Sequence, residues 1–191
     1  MGVRIFLASV AVAALTIAAA CSPSDDESGT NGTSGATEAG ERPDRFTIAP
    51  DDYHVPYAGS AEDGRKFFLS DELFDIDAAE DEAAGFVGLF LWNADGTFAE
   101  IRVDRVGRAQ GVPPGQATSA GADDLVAKRL RELGDYELEP ITVEPFTQVV
   151  DGVTFGWEVG RYEEDGTYYI GVRPGDFIVY YEPWDGLGYD T

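Results

Sequence analysis

Along the C-terminal half of the chain, apolar and polar residues alternate one by one. Val153, Phe155, Trp157 and Val159 are separated by Thr154, Gly156, Glu158 and Gly160, the period of a strand with one buried face. Tyr168, Ile170 and Val172 repeat the pattern, as do Phe177, Val179 and Tyr181. Pro174-Gly175 stands between these two runs. A two-residue turn there predicts that Val172 pairs with Phe177, Ile170 with Val179 and Tyr168 with Tyr181, all on one face, with Arg173 opposite Asp176. Asp165-Gly166 and Asp151-Gly152 are expected to close the two preceding hairpins.

The run from Phe86 to Trp92 is apolar at every position except Gly88. A strand apolar on both faces belongs inside its sheet, with neighbours on each side. Asn93-Ala94-Asp95-Gly96 then suits a type I turn with a glycine bulge, leading into a strand from Thr97 to Val103. One segment has the helical period instead: Asp123 and Asp124 open it, Val126, Leu130 and Leu133 form its stripe, and Gly134 ends it. Arg129 and Arg131 complement the dipole of this helix, 123–133, and Asp124 and Lys128 form an i,i+4 pair. Residues 45–85 are less regular, with short strands expected at 67–69 and 73–76 and a helical turn at 78–84. The pattern predicts a single α+β domain over 44–191, mostly an antiparallel sheet of hairpins with one main helix.

The N-terminus follows other rules. Arg4 precedes an apolar, alanine-rich run from Ile5 to Ala20, too short for a retained membrane span and shaped like an export signal. Its end, Ala18-Ala19-Ala20-Cys21, resembles the lipobox of bacterial prolipoproteins. The resemblance implies a signal peptide, 1–20, removed before Cys21, whose thiol then carries a lipid anchor. It also implies a place on the extracytoplasmic face of the cell membrane. Residues 22–43 are rich in Ser, Gly, Thr and acids without an apolar period. They are expected to form, with the lipidated Cys21, a disordered tether that spans roughly 25 Å on average.

Charge and residue usage narrow the chemistry. The chain carries 36 acidic against 13 basic residues, a formal net charge of −23, so nucleic acid and anionic lipid surfaces would repel it. Cys21 is the only cysteine and His54 the only histidine. Once Cys21 is acylated, disulfides, thiolate metal sites and cysteine nucleophiles are excluded, as is any site needing two imidazoles in one chain. Beyond the tether the serines are Ser60, Ser70 and Ser119, and no G-x-S-x-G elbow occurs. Glu158 interrupts an apolar strand, but it is expected to pair with Arg173 across the sheet. The densest acidic stretch runs through Asp71, Glu72, Asp75, Asp77, Glu80, Asp81 and Glu82. It departs from the calcium-loop spacing, with Ala79 at a ligand position and Glu80 where the turn needs glycine. No cofactor is therefore expected, calcium being the one ion such a chain would favour.

Aromatic residues give the positive signal. With two-residue turns throughout, Tyr162, Tyr169 and Tyr180 would stack across three strands on the face opposite Phe155 and Trp157, with Trp184 following. A glycine-bulge turn at 163–166 would change that register. Such a ladder is a flat platform for a protein or polysaccharide of the cell envelope. The expected function is a membrane-anchored, non-catalytic binding module. The alternatives are a carboxylate-dependent envelope hydrolase, which needs a desolvated acid pair, and a carrier of lipid or another apolar ligand, which needs a cavity between sheet and helix.

Overall fold

A strand apolar on both faces needs a layer on each side, and the chain provides both. The computed structural model describes residues 40–75, 84–106 and 121–190. They form strands β1 (Phe46–Ile48), β2 (Tyr57–Ala61), β3 (Lys66–Phe74), β4 (Gly85–Trp92) and β5 (Phe98–Val106), then helix α1 (Ala122–Glu132). Strands β6 (Tyr136–Leu138), β7 (Ile141–Val143), β8 (Thr147–Val150), β9 (Val153–Arg161), β10 (Tyr168–Arg173), β11 (Val179–Tyr180) and β12 (Tyr189–Asp190) complete it. Every pairing is antiparallel. The first sheet runs β5-β4-β3-β2-β6, the second β12-β11-β10-β9-β8, and β1 and β7 make a two-stranded ribbon.

The predicted antiparallel hairpins and main helix are present, but strands dominate, so the described residues form a β-sandwich carrying one helix. Strand β4 is buried along its whole length and lies between β3 and β5, as its pattern requires. Phe86, Phe90 and Trp92, with Phe68 of β3, pack against Phe155 and Trp157 of the second sheet. Val87, Leu89 and Leu91, with Phe67 and Leu69, face Ala122, Val126 and Leu133 of the helix. The result is three layers: helix, first sheet, second sheet. Gly134, at φ 72°, follows the helix where the sequence places its end. Lys128 lies 3.5 Å from Asp104 of β5. Arg129 is 9% exposed and reaches Asp104 at 2.7 Å and Glu132 at 2.9 Å. The basic residues of the helix therefore do more than complement its dipole: they fasten it to β5.

One strand, β3 (Lys66–Phe74), with a bulge between Ser70 and Leu73, stands in place of the two short strands expected at 67–69 and 73–76. The expected helical turn at 78–84, apart from Ala84, lies outside the described residues, as do the export signal, Cys21 and the expected tether up to residue 39. The tether's last four positions, 40–43, are described, and Pro43 is buried rather than part of a free coil. The 93–96 turn closes as predicted, with Gly96 at φ 85° and its N–H donating to the Asn93 carbonyl at 2.8 Å. Asp151-Gly152 joins β8 to β9 with Val150 opposite Val153, both turn residues at positive φ.

Two registers differ from expectation. Between β9 and β10 the turn proper is four residues long, Glu163 to Gly166, closed by the Tyr162 N–H donating to the Thr167 carbonyl at 2.9 Å. Tyr169 therefore lies opposite Gly160; a two-residue slip preserves every face. Between β10 and β11 the turn holds one more residue than predicted, because the Asp176 N–H bonds the Val172 carbonyl at 3.2 Å. Ile170 then pairs with Tyr180, and this one-residue slip exchanges faces. Ile178 and Tyr180 point into the core, and Val179 and Tyr181 do not.

Candidate functional site

Helix α1 covers the outer face of the first sheet, while the described residues place no helix on the outer face of the second. That face carries Glu158 and Gly160 of β9, Tyr169, Gly171 and Arg173 of β10, and Val179 of β11, with Tyr162 and Tyr181 just beyond the strand ends. Tyr169 stands opposite a glycine for a steric reason: a β-carbon on Gly160 would lie 2.0 Å from the Tyr169 Cζ. The Tyr169 ring occupies the space where a side chain would stand. Tyr162 packs on it, ring centroids 4.8 Å apart, and is 44% exposed. Tyr181 is nearly parallel to Tyr162, 20° between planes and 6.4 Å between centroids, and their hydroxyls are 2.8 Å apart. The hydroxyl contact holds two phenol rings in one orientation, which lowers the entropy lost when a partner seats on them.

Beside this cluster Arg173 donates to Glu158 at 2.7 Å and also pairs with Asp176. Burial works against the charge of Arg173, but the hydrogen bond it donates to Glu158 and the nearby acids outweigh it and push its pKa up. The expected Glu158–Arg173 pair thus exists, diagonally rather than directly across, since Glu158 stands opposite Gly171.

Tyr180 and Trp184 require correction. Tyr180 is 1% exposed and packs among Phe46, Trp157 and Tyr189, so it belongs to the core and not to the ladder. Burial raises the pKa of its hydroxyl. Trp184 sits at φ 63°, is half-buried against the core, and accepts the Thr47 N–H at 2.8 Å through its carbonyl. The structure brings Tyr162 and Tyr169 together as expected and adds Tyr181 as the third ring. Tyr181 was visible to the sequence only as an alternating partner of Val179. Because Val179, Tyr180 and Tyr181 each suit either face, the pattern could not assign it.

The other candidate groups form structural contacts. Asp51 Oδ1 accepts the backbone N–H groups of Tyr53, His54 and Val55 at 2.8–2.9 Å, and its Oδ2 accepts the Tyr189 hydroxyl at 2.7 Å. His54 Nδ1 lies 2.5 Å from Glu72 Oε2, and its ring packs against Tyr53 and Phe177. The two described serines have partners of their own: Ser60 donates to Glu139 at 2.5 Å, and buried Ser70 accepts the Glu72 N–H. Ser119 lies outside the described residues. Asp71, on the β3 bulge, is pushed up in pKa by burial and then by the charge of Asp123. Among the described residues no three His, Cys, Asp or Glu side chains converge as metal ligands. Asp77, Glu80, Asp81 and Glu82 of the acidic stretch fall outside them.

Set against protein-family models, curated proteins and solved structures, the chain matches none.

Proposed function

We propose that the chain is a lipid-anchored, extracytoplasmic envelope protein whose β-sandwich is a non-catalytic binding module. Cys21 is the anchor, residues 22–43 are the tether, and the outer face of the second sheet is the contact surface for an envelope protein or polysaccharide. The observation that carries this reading is the Tyr162–Tyr169–Tyr181 cluster. It is a set of rigid amphipathic rings at the surface, and aromatic side chains with few rotors are what binding surfaces favour. The ring spacing and the hydroxyl contact support a platform prepared before the partner arrives.

Non-catalytic action is supported by the engagement of the obvious reacting groups. Glu158 is ion-paired, His54 is held by Glu72, and both described serines are hydrogen-bonded. Two measurements test the two halves separately. Replacing Cys21 with Ala should move the protein from the membrane to the soluble fraction; retention in the membrane refutes the anchor. A photo-cross-linking residue at position 162 should give a discrete adduct in intact cells that the same residue at exposed Leu187 does not. Equal labelling from both positions refutes the contact surface.

A further inference from the structure

Between Thr147 and Asp190, the stretch that builds the second sheet, the only basic residues are Arg161 and Arg173. Both are engaged within the fold. Arg161 Nε donates to the Gly166 carbonyl at 2.9 Å, and its guanidinium carbon lies 5.4 Å from the centroid of the Tyr168 ring. Arg173 pairs with Glu158 and Asp176.

The turn from Glu163 to Gly166 carries the opposite charge. Asp165 is used inside it, where its carboxylate accepts the Thr167 N–H at 2.8 Å. Glu163 and Glu164 follow Tyr162 directly, are exposed, and have no hydrogen-bond or ion-pair partner among the described residues. Tyr162 itself is 44% exposed and packs on Tyr169. Exposed phenol rings therefore stand beside two carboxylates that no cation of the second sheet neutralises.

We propose, on the reading of this face as a contact surface, that its partner is an arginine-bearing segment of an envelope protein and not a polysaccharide. A guanidinium laid flat on a phenol ring meets the negative face of the π system. Its N–H fork also matches a carboxylate bidentately. Both halves of that pairing are present, the ring at Tyr162 and the carboxylates at Glu163 and Glu164. The fold already makes the ring contact once, with Arg161 over Tyr168. A neutral sugar would stack on the rings but leave both charges without a counterpart, and an anionic polymer would be repelled. Lysine fits less well than arginine, because its ammonium is a strongly hydrated point charge with no plane to lay on the ring.

The test is calorimetric titration of the full chain with a capped octapeptide of alternating Gly and Arg. Salt at about 0.15 M screens exposed charges more than about 8 Å away. The same peptide with Lys, or with citrulline, which keeps the shape of arginine and loses its charge, serves as control. The expected result is saturable binding of the Arg peptide, about fivefold or more tighter than either control. Tyr162→Leu should weaken it about fivefold. Glu163→Gln with Glu164→Gln should weaken it more than Asp135→Asn with Glu137→Gln, which removes equal charge from exposed positions at β6 of the first sheet. Should Tyr162→Leu not fold, amide shifts on the wild-type chain should centre on Tyr162, Glu163, Glu164 and Tyr169. No saturable binding, a control peptide bound as tightly, equal weakening by the two charge pairs, or shifts centred elsewhere overturns the proposal. Cellotetraose binding that is lost in Tyr162→Leu, with no binding of the Arg peptide, overturns it too but leaves the contact surface standing. The cross-link from position 162 decides that surface independently.

Discussion

The Tyr189 hydroxyl donates to the Asp51 carboxylate at 2.7 Å, joining residues 138 positions apart. Asp51 also caps the turn that holds His54 against Glu72. One carboxylate therefore ties the C-terminal strand to the start of the sandwich.

That contact has a pH signature. Burial raises the Asp51 pKa, but the Tyr189 hydroxyl and then the three backbone N–H groups outweigh it, and the net shift is downward. The stability from a depressed carboxylate is complete above its unfolded pKa of about 4 and is lost as pH falls through the lower folded value. Tyr189→Phe should cost about 1 kcal/mol at pH 7, and the gap to wild type should shrink below about pH 4. Urea midpoints at pH 7 and pH 3 measure it; an equal gap at both contradicts the linkage.

Tyr180→Phe should leave stability unchanged or raise it by up to about 1 kcal/mol. The Tyr180 hydroxyl is buried and has no hydrogen-bond partner among the described residues, so removing it relieves a desolvation cost at no loss of a contact there. Urea unfolding decides the matter, and a loss above about 1 kcal/mol would mean that the hydroxyl is engaged.

Arg129 joins Asp104 and Glu132 with its side chain 11% exposed. Arg129→Ala should cost about 2 kcal/mol, less than a fully buried pair because Asp104 keeps some solvent. Arg129→Lys should recover less than half of that, since an ammonium cannot present the guanidinium fork to both acids. Thermal melts compare the two; a full rescue by lysine would show that charge alone matters.

Gly160→Ala should destabilise by about 1–3 kcal/mol, because its new methyl collides with the Tyr169 ring. The same substitution in a Tyr169→Ala background should cost clearly less. A double-mutant cycle gives the coupling, and strict additivity would show that the ring does not lie over the glycine.

Much of the architecture was legible from local pattern. Strand β4, the alternation of β9 and β10, the 93–96 turn and the end of helix α1 at Gly134 each follow from residues within one element. The short strands β1, β2, β6, β7 and β12 were not legible. They are two to five residues long, too brief for a period to emerge, and each exists because a distant strand supplies its hydrogen bonds. The ring cluster was half legible: Tyr162 and Tyr169 survive a two-residue slip, whereas Tyr180 does not survive the one-residue slip at Arg173–Phe177.

The sequence by itself determined the long strands β4, β9 and β10, the helix that ends at Gly134, and the chemistries that a single cysteine and a single histidine rule out within one chain. These are matters of composition and of contacts between near neighbours. Only the tertiary structure decided that Tyr181 rather than Tyr180 reaches the surface, and that Asp51 meets Tyr189. Both depend on how elements remote in the chain meet. Face is set by a register that one turn residue reverses, and the Asp51–Tyr189 contact joins segments whose sequences make no reference to one another.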